Sequence, residues 1–201
     1  MWLINTVPSL NINIDNYPMV KQYLLMFGKD RLEQTGRNLS DGIKSRKKTP
    51  HKWFELQDTC AYHALFDQEK IANPDISSSP NFTLVNKGMY VEATAFIFNT
   101  RDKCLLAILN SNVAGFYISS IAPDLGKDAV RYKKKYIQEL PIPEYKNLKI
   151  KTTMETLVQS LLEDHLSKER PFIDAQLNNF VYELYDLNQD EINIIESSQI
   201  D

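Results

Sequence analysis

The sequence predicts a mixed α/β (α+β) domain: a small, mostly antiparallel or mixed sheet flanked by helices, with a helical tail behind it. Three observations predict it. Strand-like alternation is confined to residues 70–99. Apolar residues at helical spacing lie on both sides of that stretch. From Thr152 to the end the apolar period is helical throughout. The 201 residues, 43% hydrophobic, suffice to bury a sizeable core, and we divide them into a domain at 1–150 and a C-terminal helical appendage at 151–201.

Taken in order, Trp2-Leu3-Ile4 reads as a short strand. Asp15-Asn16-Tyr17-Pro18 supplies an Asn or Asp cap and a first-turn proline for a helix. Its apolar residues Val20, Tyr23, Leu24 and Phe27 carry it to about Glu33. Residues 29–52 are polar and basic, broken by Gly36, Ser40, Gly42, Ser45 and Pro50, and read as a long exposed loop without periodicity. Loops of that length in compact domains are usually functional or disordered. Lys70 to Ile76 reads as a strand. Phe82–Val85 and Met89–Asn99, joined by the turn Asn86-Lys87-Gly88, read as a hairpin. Asp102 to Asn110 reads as a helix capped by the Asn99-Thr100 pair, and a second helical or bent segment runs through Phe116 and Tyr117 to Ile121. Leu140-Pro141-Ile142-Pro143 is stiff and extended, because each proline restricts itself and its predecessor. In the tail, one face is Met154, Leu157, Val158, Leu161 and Leu162, another is Phe172, Leu177, Phe180, Val181 and Leu184, and a short helix spans 189–197.

No cofactor or catalytic fingerprint is present: no G-x-G-x-x-G, P-loop, G-x-S-x-G, H-E-x-x-H or C-x-x-C. His51, His63 and His165 fall in different elements and read as structural or solvated. Cys60 and Cys104 lack a second ligand at metal spacing and read as buried thiols, with no metal site. The opening residues mix Asn, Asp and Lys into every apolar stretch, unlike a secretory signal, and no window approaches the roughly 20 apolar residues of a membrane span. The expectation is a cytoplasmic protein with no membrane partner.

Net charge is −3, yet its distribution is uneven. Residues 155–201 hold 11 acids and two bases, a net of −9, whereas residues 1–154 hold 21 bases and 15 acids, a net of +6. Within the basic part, residues 29–52 carry eight bases against three acids. A second island comprises Lys127, Arg131, Lys133, Lys134 and Lys135. Aromatics interleave with both, Trp53 and Phe54 beside the first, Tyr132 and Tyr136 within the second. Lysines neutralise phosphates with counterion release, and arginines form bidentate bonds to guanine edges. The candidate DNA-binding residues are therefore Arg37, Lys44, Arg46, Lys47, Lys48, Arg131, Tyr132, Lys133, Lys134 and Lys135. A charge run is equally compatible with a solvated face. The alternative reading is a protein-interaction module that uses the acidic helical tail without touching DNA.

Several segments together carry a resemblance. Asp15-x-Tyr17-Pro18 before a helix is followed by Lys52-Trp53-Phe54-Glu55-Leu56-Gln57 and by Lys70-Ile71 leading a strand. Then come Leu105-Leu106-Ala107-Ile108-Leu109-Asn110-Ser111 with Phe116-Tyr117, and Arg131-Tyr132-Lys133-Lys134-Lys135-Tyr136 before Leu140-Pro141-Ile142-Pro143. Val181-Tyr182-Glu183-Leu184-Tyr185-Asp186-Leu187 closes the series. In this order they resemble the TaqI-like C-terminal specificity domain, the target-recognition domain of N6-adenine methyltransferases and of type IIG restriction-modification enzymes, over about residues 2–196.

The resemblance implies a recognition domain for double-stranded DNA that is not itself an enzyme. An upstream methyltransferase or nuclease domain, absent here, would be its partner, and S-adenosylmethionine would bind only there. It also implies that 131–136 is the family's basic segment, where contacts to DNA are expected, that Trp53 matches an aromatic as readily core as DNA-facing, and that 37–48 fall where such domains vary. The final helices would pack on the domain or on a neighbouring subunit.

Overall fold

The computed structural model describes residues 3–123, 125–126, 129–164, 166 and 168–198. The chain divides into two compact units, Met1–Ala64 and Leu65–Asp201.

In the first unit, helix α1 spans Pro18–Leu25 and a single turn, α2, spans Lys29–Leu32. The one helix expected to Glu33 is interrupted at Gly28, whose φ of +85° leaves the helical region. Pro18 occupies the first turn as expected, but the cap position is Tyr17, with no side-chain cap bond; Asn13 instead accepts from the Asp15 N–H. Val20 and Leu24, one turn apart, are half-buried, while Met19, Tyr23 and Phe27 are exposed. The buried apolar residues of this unit include Val7, Ile14 and Phe54. The strand expected at 2–4 does not form: Leu3 and Ile4 are irregular and exposed, and Trp2 lies outside the described residues.

The second unit is built on β1 (Lys70–Pro74), which pairs antiparallel with β3 (Thr83–Val85) on one edge and β4 (Ala95–Phe98) on the other. The expected hairpin between 82–85 and 89–99 is thus corrected: those segments flank a common central strand. β1 is the strand that burial selects, since Lys70, Ile71, Ala72 and Asn73 are all buried, and a strand buried on both faces needs both backbone edges satisfied. A two-stranded ribbon of β2 (Ile76–Ser77) and β5 (Val130–Arg131) extends this region. The Gly88 turn, at φ +79°, is tied down by its N–H donating to the Phe66 carbonyl.

The Lys70 ammonium is buried and donates to the carbonyls of Gln68 (3.0 Å), Phe66 (3.3 Å) and Asn86 (3.3 Å). It joins the approach to β1 to the turn after β3. Desolvation lowers its pKa, partly opposed by Asp67.

Helix α3 (Lys103–Leu109) is capped by Asp102, which accepts from the Leu105 N–H at 3.0 Å, and not by Asn99-Thr100. Thr100 contributes one step earlier, its hydroxyl accepting from the Asp102 N–H. Ser111 caps α4 (Asn112–Ile121). α5 is a single turn at Lys134–Ile137. Helix α6 (Leu148–Glu163) begins earlier than periodicity indicates, because the Asn147 side chain accepts from the Lys149 and Ile150 N–H groups.

Helices α7 (Arg170–Leu184) and α8 (Gln189–Ser197) follow, α8 opening with a capping box between Asn188 and Glu191. Ile150, Met154, Val158, Leu177 and Val181 share one core cluster with Ile71, Ile108 and Ile118. Phe172, expected on the buried face of α7, is exposed, and Ile173 takes that place. Among the described residues no single helix is long and apolar enough to cross a membrane, and the apolar pair α3 and α4 contributes Cys104, Ile108, Ala114 and Ile118 to the core.

Candidate nucleic-acid interface

Residues 34–49 form a hydrogen-bonded tongue, where an irregular loop was expected. Its arms are joined by Gly36 N–H to the Arg46 carbonyl (2.9 Å), Ser45 N–H to the Arg37 carbonyl (2.9 Å) and Leu39 N–H to the Ile43 carbonyl (2.7 Å). Asn38 and Lys44 form an antiparallel bridge, and the tip is a short turn at Ser40–Gly42. Polar side chains hold the base, which is why hydrophobic periodicity cannot show it. Buried Ser45 accepts from the Arg37 N–H and bonds the Thr35 hydroxyl. Gln34, also buried, donates to the carbonyls of Lys52 (2.9 Å) and Glu55 (2.8 Å). Gly36 adopts φ +70°, and a Cβ there would stand 3.4 Å from that of Lys48.

This scaffold leaves Arg37, Lys44, Lys47 and Lys48 exposed, with no ion pair among the described residues. Arg46 has a different position. It is half-buried, its Nη1 donates to the Trp53 carbonyl at 3.2 Å, and burial draws its pKa below the usual guanidinium value. Arg46 therefore braces the tongue. Trp53 is half-buried, packed edge-on against buried Phe54.

In the second unit, Arg131 ends β5 and Lys133 precedes α5, which carries Lys134 and Lys135. Lys134 and Lys135 are exposed; Arg131 and Lys133 are half-buried. Lys135 lies 4.5 Å above the Tyr136 ring, a cation–π contact that leaves the ammonium at the surface. Tyr132 is a correction. It is 1% exposed and packs edge-on against Phe82, so its ring is core and cannot meet a nucleic acid. Alternation explains this: successive side chains of an extended segment point to opposite faces, so Tyr132 turns inward between Arg131 and Lys133. Lys127 lies outside the described residues.

Sequence reasoning missed Asn73 and Asp75, which face this segment. The Asn73 amide donates to the Tyr132 carbonyl at 3.1 Å across 59 residues of chain, and Asp75 lies 3.8 Å from Arg131. Pairing at that separation leaves no local signature. Among the described residues no three of His, Cys, Asp and Glu gather as a metal-ligand set. Cys104 is buried as expected, and Cys60 is half-buried.

A curated relative, the type II methyltransferase M.BstVI of Geobacillus stearothermophilus, is 26% identical over 190 residues, covering 93% of this chain. The chain spans 30% of that relative's length. The model of the TaqI-like C-terminal specificity domain matches residues 14–142, which include the tongue, the sheet and the basic segment. This chain belongs to the TaqI-like C-terminal specificity domain family.

Proposed function

We propose that this chain recognises a target sequence in double-stranded DNA on behalf of a restriction-modification enzyme or N6-adenine DNA methyltransferase whose catalytic domain is a separate part of the protein. The observation that carries this reading is the tongue, whose exposed Arg37, Lys44, Lys47 and Lys48 stand on a rigid hydrogen-bonded frame in a chain of the specificity-domain family. Exposed ammonium groups without protein partners neutralise phosphates at little desolvation cost and set register, while base contacts give specificity. A relative named as a methyltransferase, of which this chain spans 30%, supports a linked methyltransferase domain. S-adenosylmethionine would bind in that domain, and this chain would catalyse nothing itself.

Fluorescence anisotropy on a random duplex tests the reading. Binding should be detectable at low salt and fall steeply as salt rises. Undetectable binding, or binding indifferent to salt, would overturn it.

A further inference from the structure

Asp75 sits between β1 and β2, and Arg131 lies opposite on β5. The backbone around Arg131 is fixed from two directions: Ile76 is its cross-strand partner, and the Tyr132 N–H donates to the Asp75 carbonyl at 2.7 Å. Tyr132, buried against Phe82, anchors the next residue. The Arg131 side chain is 31% exposed, and its Nη1 lies 3.8 Å from Asp75 Oδ2. Three polar atoms of this cluster, Asn73 Oδ1, Asp75 Oδ1 and Arg131 Nε, are buried without a hydrogen-bond partner in the protein. An underbonded polar cluster beside a surface cation calls for an explanation.

The geometry points to Arg131 as the residue that reads a guanine edge, with Asp75 as its positioning residue. This inference rests on the DNA-recognition reading above. Lys134 and Lys135 are exposed point charges on flexible stems, suited to phosphate and carrying no sequence information. Arg131 differs in three ways. Its main chain is pinned, its Nη1 is engaged by a carboxylate, and its Nε edge is unbonded. The Nε and Nη2 donors are parallel and match the O6 and N7 acceptors of guanine in the major groove. In this conformation the Nε edge is buried, so pairing with guanine requires the guanidinium to turn outward, and at 3.8 Å no hydrogen bond to Asp75 holds it back. Asp75 offsets the guanidinium charge, so a phosphate gains little there, whereas a guanine supplies the acceptor that Nε lacks. Adenine presents an amino donor in place of O6 and leaves the fork half-paired.

The test is selection from a randomised duplex pool, read by sequencing, with the wild-type chain, Arg131→Lys, Asp75→Asn, Asp75→Glu and the double variant Lys134→Ala/Lys135→Ala, each with a melting curve. The wild type should enrich a motif containing a G·C pair. Arg131→Lys and Asp75→Asn should cut discrimination at that one pair from about tenfold or more to near none while the other positions hold, and Asp75→Glu should restore part of it. The double lysine variant should weaken binding to all sequences alike and keep the motif.

An unchanged motif in Arg131→Lys and Asp75→Asn overturns this inference alone, as does loss at every position together. A wild type that binds DNA but enriches nothing overturns it and leaves the phosphate contacts standing. A wild type that binds no DNA overturns the proposed function as well. If Asp75→Asn does not fold, Arg131→Lys decides, since it keeps both the charge and the carboxylate.

Discussion

Thr49 closes on Gln34 twice: its N–H donates to the Gln34 carbonyl at 3.1 Å, and its hydroxyl donates to Gln34 Oε1. With the Gln34 amide donating to Lys52 and Glu55, one buried side chain holds both ends of the segment that carries the tongue's cations. Apart from the Arg46 brace, these frame bonds join uncharged groups, so loss of the frame and loss of the exposed charges at Arg37, Lys44, Lys47 and Lys48 are separable by mutation.

Gln34→Leu leaves the Glu55 carbonyl without its partner, while the Lys52 carbonyl keeps the Glu55 N–H and the Thr49 hydroxyl keeps the His51 N–H. A buried group left unpaired in this way costs about 1–3 kcal/mol. The expected result is a drop in melting temperature, faster amide exchange at 36–46, and weaker DNA binding although every cation remains. Unchanged exchange in the tongue would contradict the bracing role.

Gly36→Ala places a β-carbon at φ +70° and 3.4 Å from the Lys48 Cβ. Left-handed backbone costs an L-residue roughly 1–2 kcal/mol, so chemical denaturation should show a loss of about that size. Gly42→Ala at the tip, where nothing lies within 4 Å, carries the backbone cost alone and should be the milder of the two.

Replacing Lys44, Lys47 and Lys48 together by alanine should leave the melting temperature nearly unchanged, since all three are exposed and unpaired. The slope of log affinity against log salt should shrink by about 0.9 for each phosphate that is no longer neutralised. Anisotropy titrations at several salt concentrations measure this. Tyr132→Leu should do the reverse, since the ring is core: stability falls, and binding changes only as the folded fraction falls.

Alkaline pH should destabilise the second unit. Burial, reinforced by Glu155 and Asp102, pushes the Cys104 thiol from about 9 in the open chain to about 11. The folded state thus favours the neutral thiol. That contribution is fully present below pH 9 and is lost as pH rises toward 11, on the order of 2–3 kcal/mol in all. Tyr132 and Tyr185, each pushed by burial from 10 to about 12, extend the loss higher. Urea midpoints between pH 8 and 11 should decline, and Cys104→Ala should flatten the first part of the decline.

The helical segments at 103–121 and from Thr152 onward were legible because 3.6-residue periodicity is a local signal, whereas the caps at Asp102, Ser111, Asn147 and Asn188 emerged only with the structure. The mixed α/β class and the specificity-domain family were legible for a related reason, the order of segments along the chain. Exposure of Lys44, Lys47, Lys48, Lys134 and Lys135 followed from their charge alone. Strand partnership did not follow, since Thr83–Val85 and Ala95–Phe98 read as each other's partners until a buried strand distant in sequence took both.

The same limit hid the roles of Arg46, Tyr132 and Asp75. A basic or aromatic residue in a charged run looks identical whether it faces solvent or a carbonyl. Only the fold brings Trp53 to Arg46, Phe82 to Tyr132 and Asp75 to Arg131. Chain order and side-chain chemistry fix local conformation and surface charge, because both act within a few residues. Which cation is free and which is engaged depends on groups outside the local helical or strand period, Trp53 for Arg46 and the far more distant Asp75 for Arg131, and tertiary packing sets those distances.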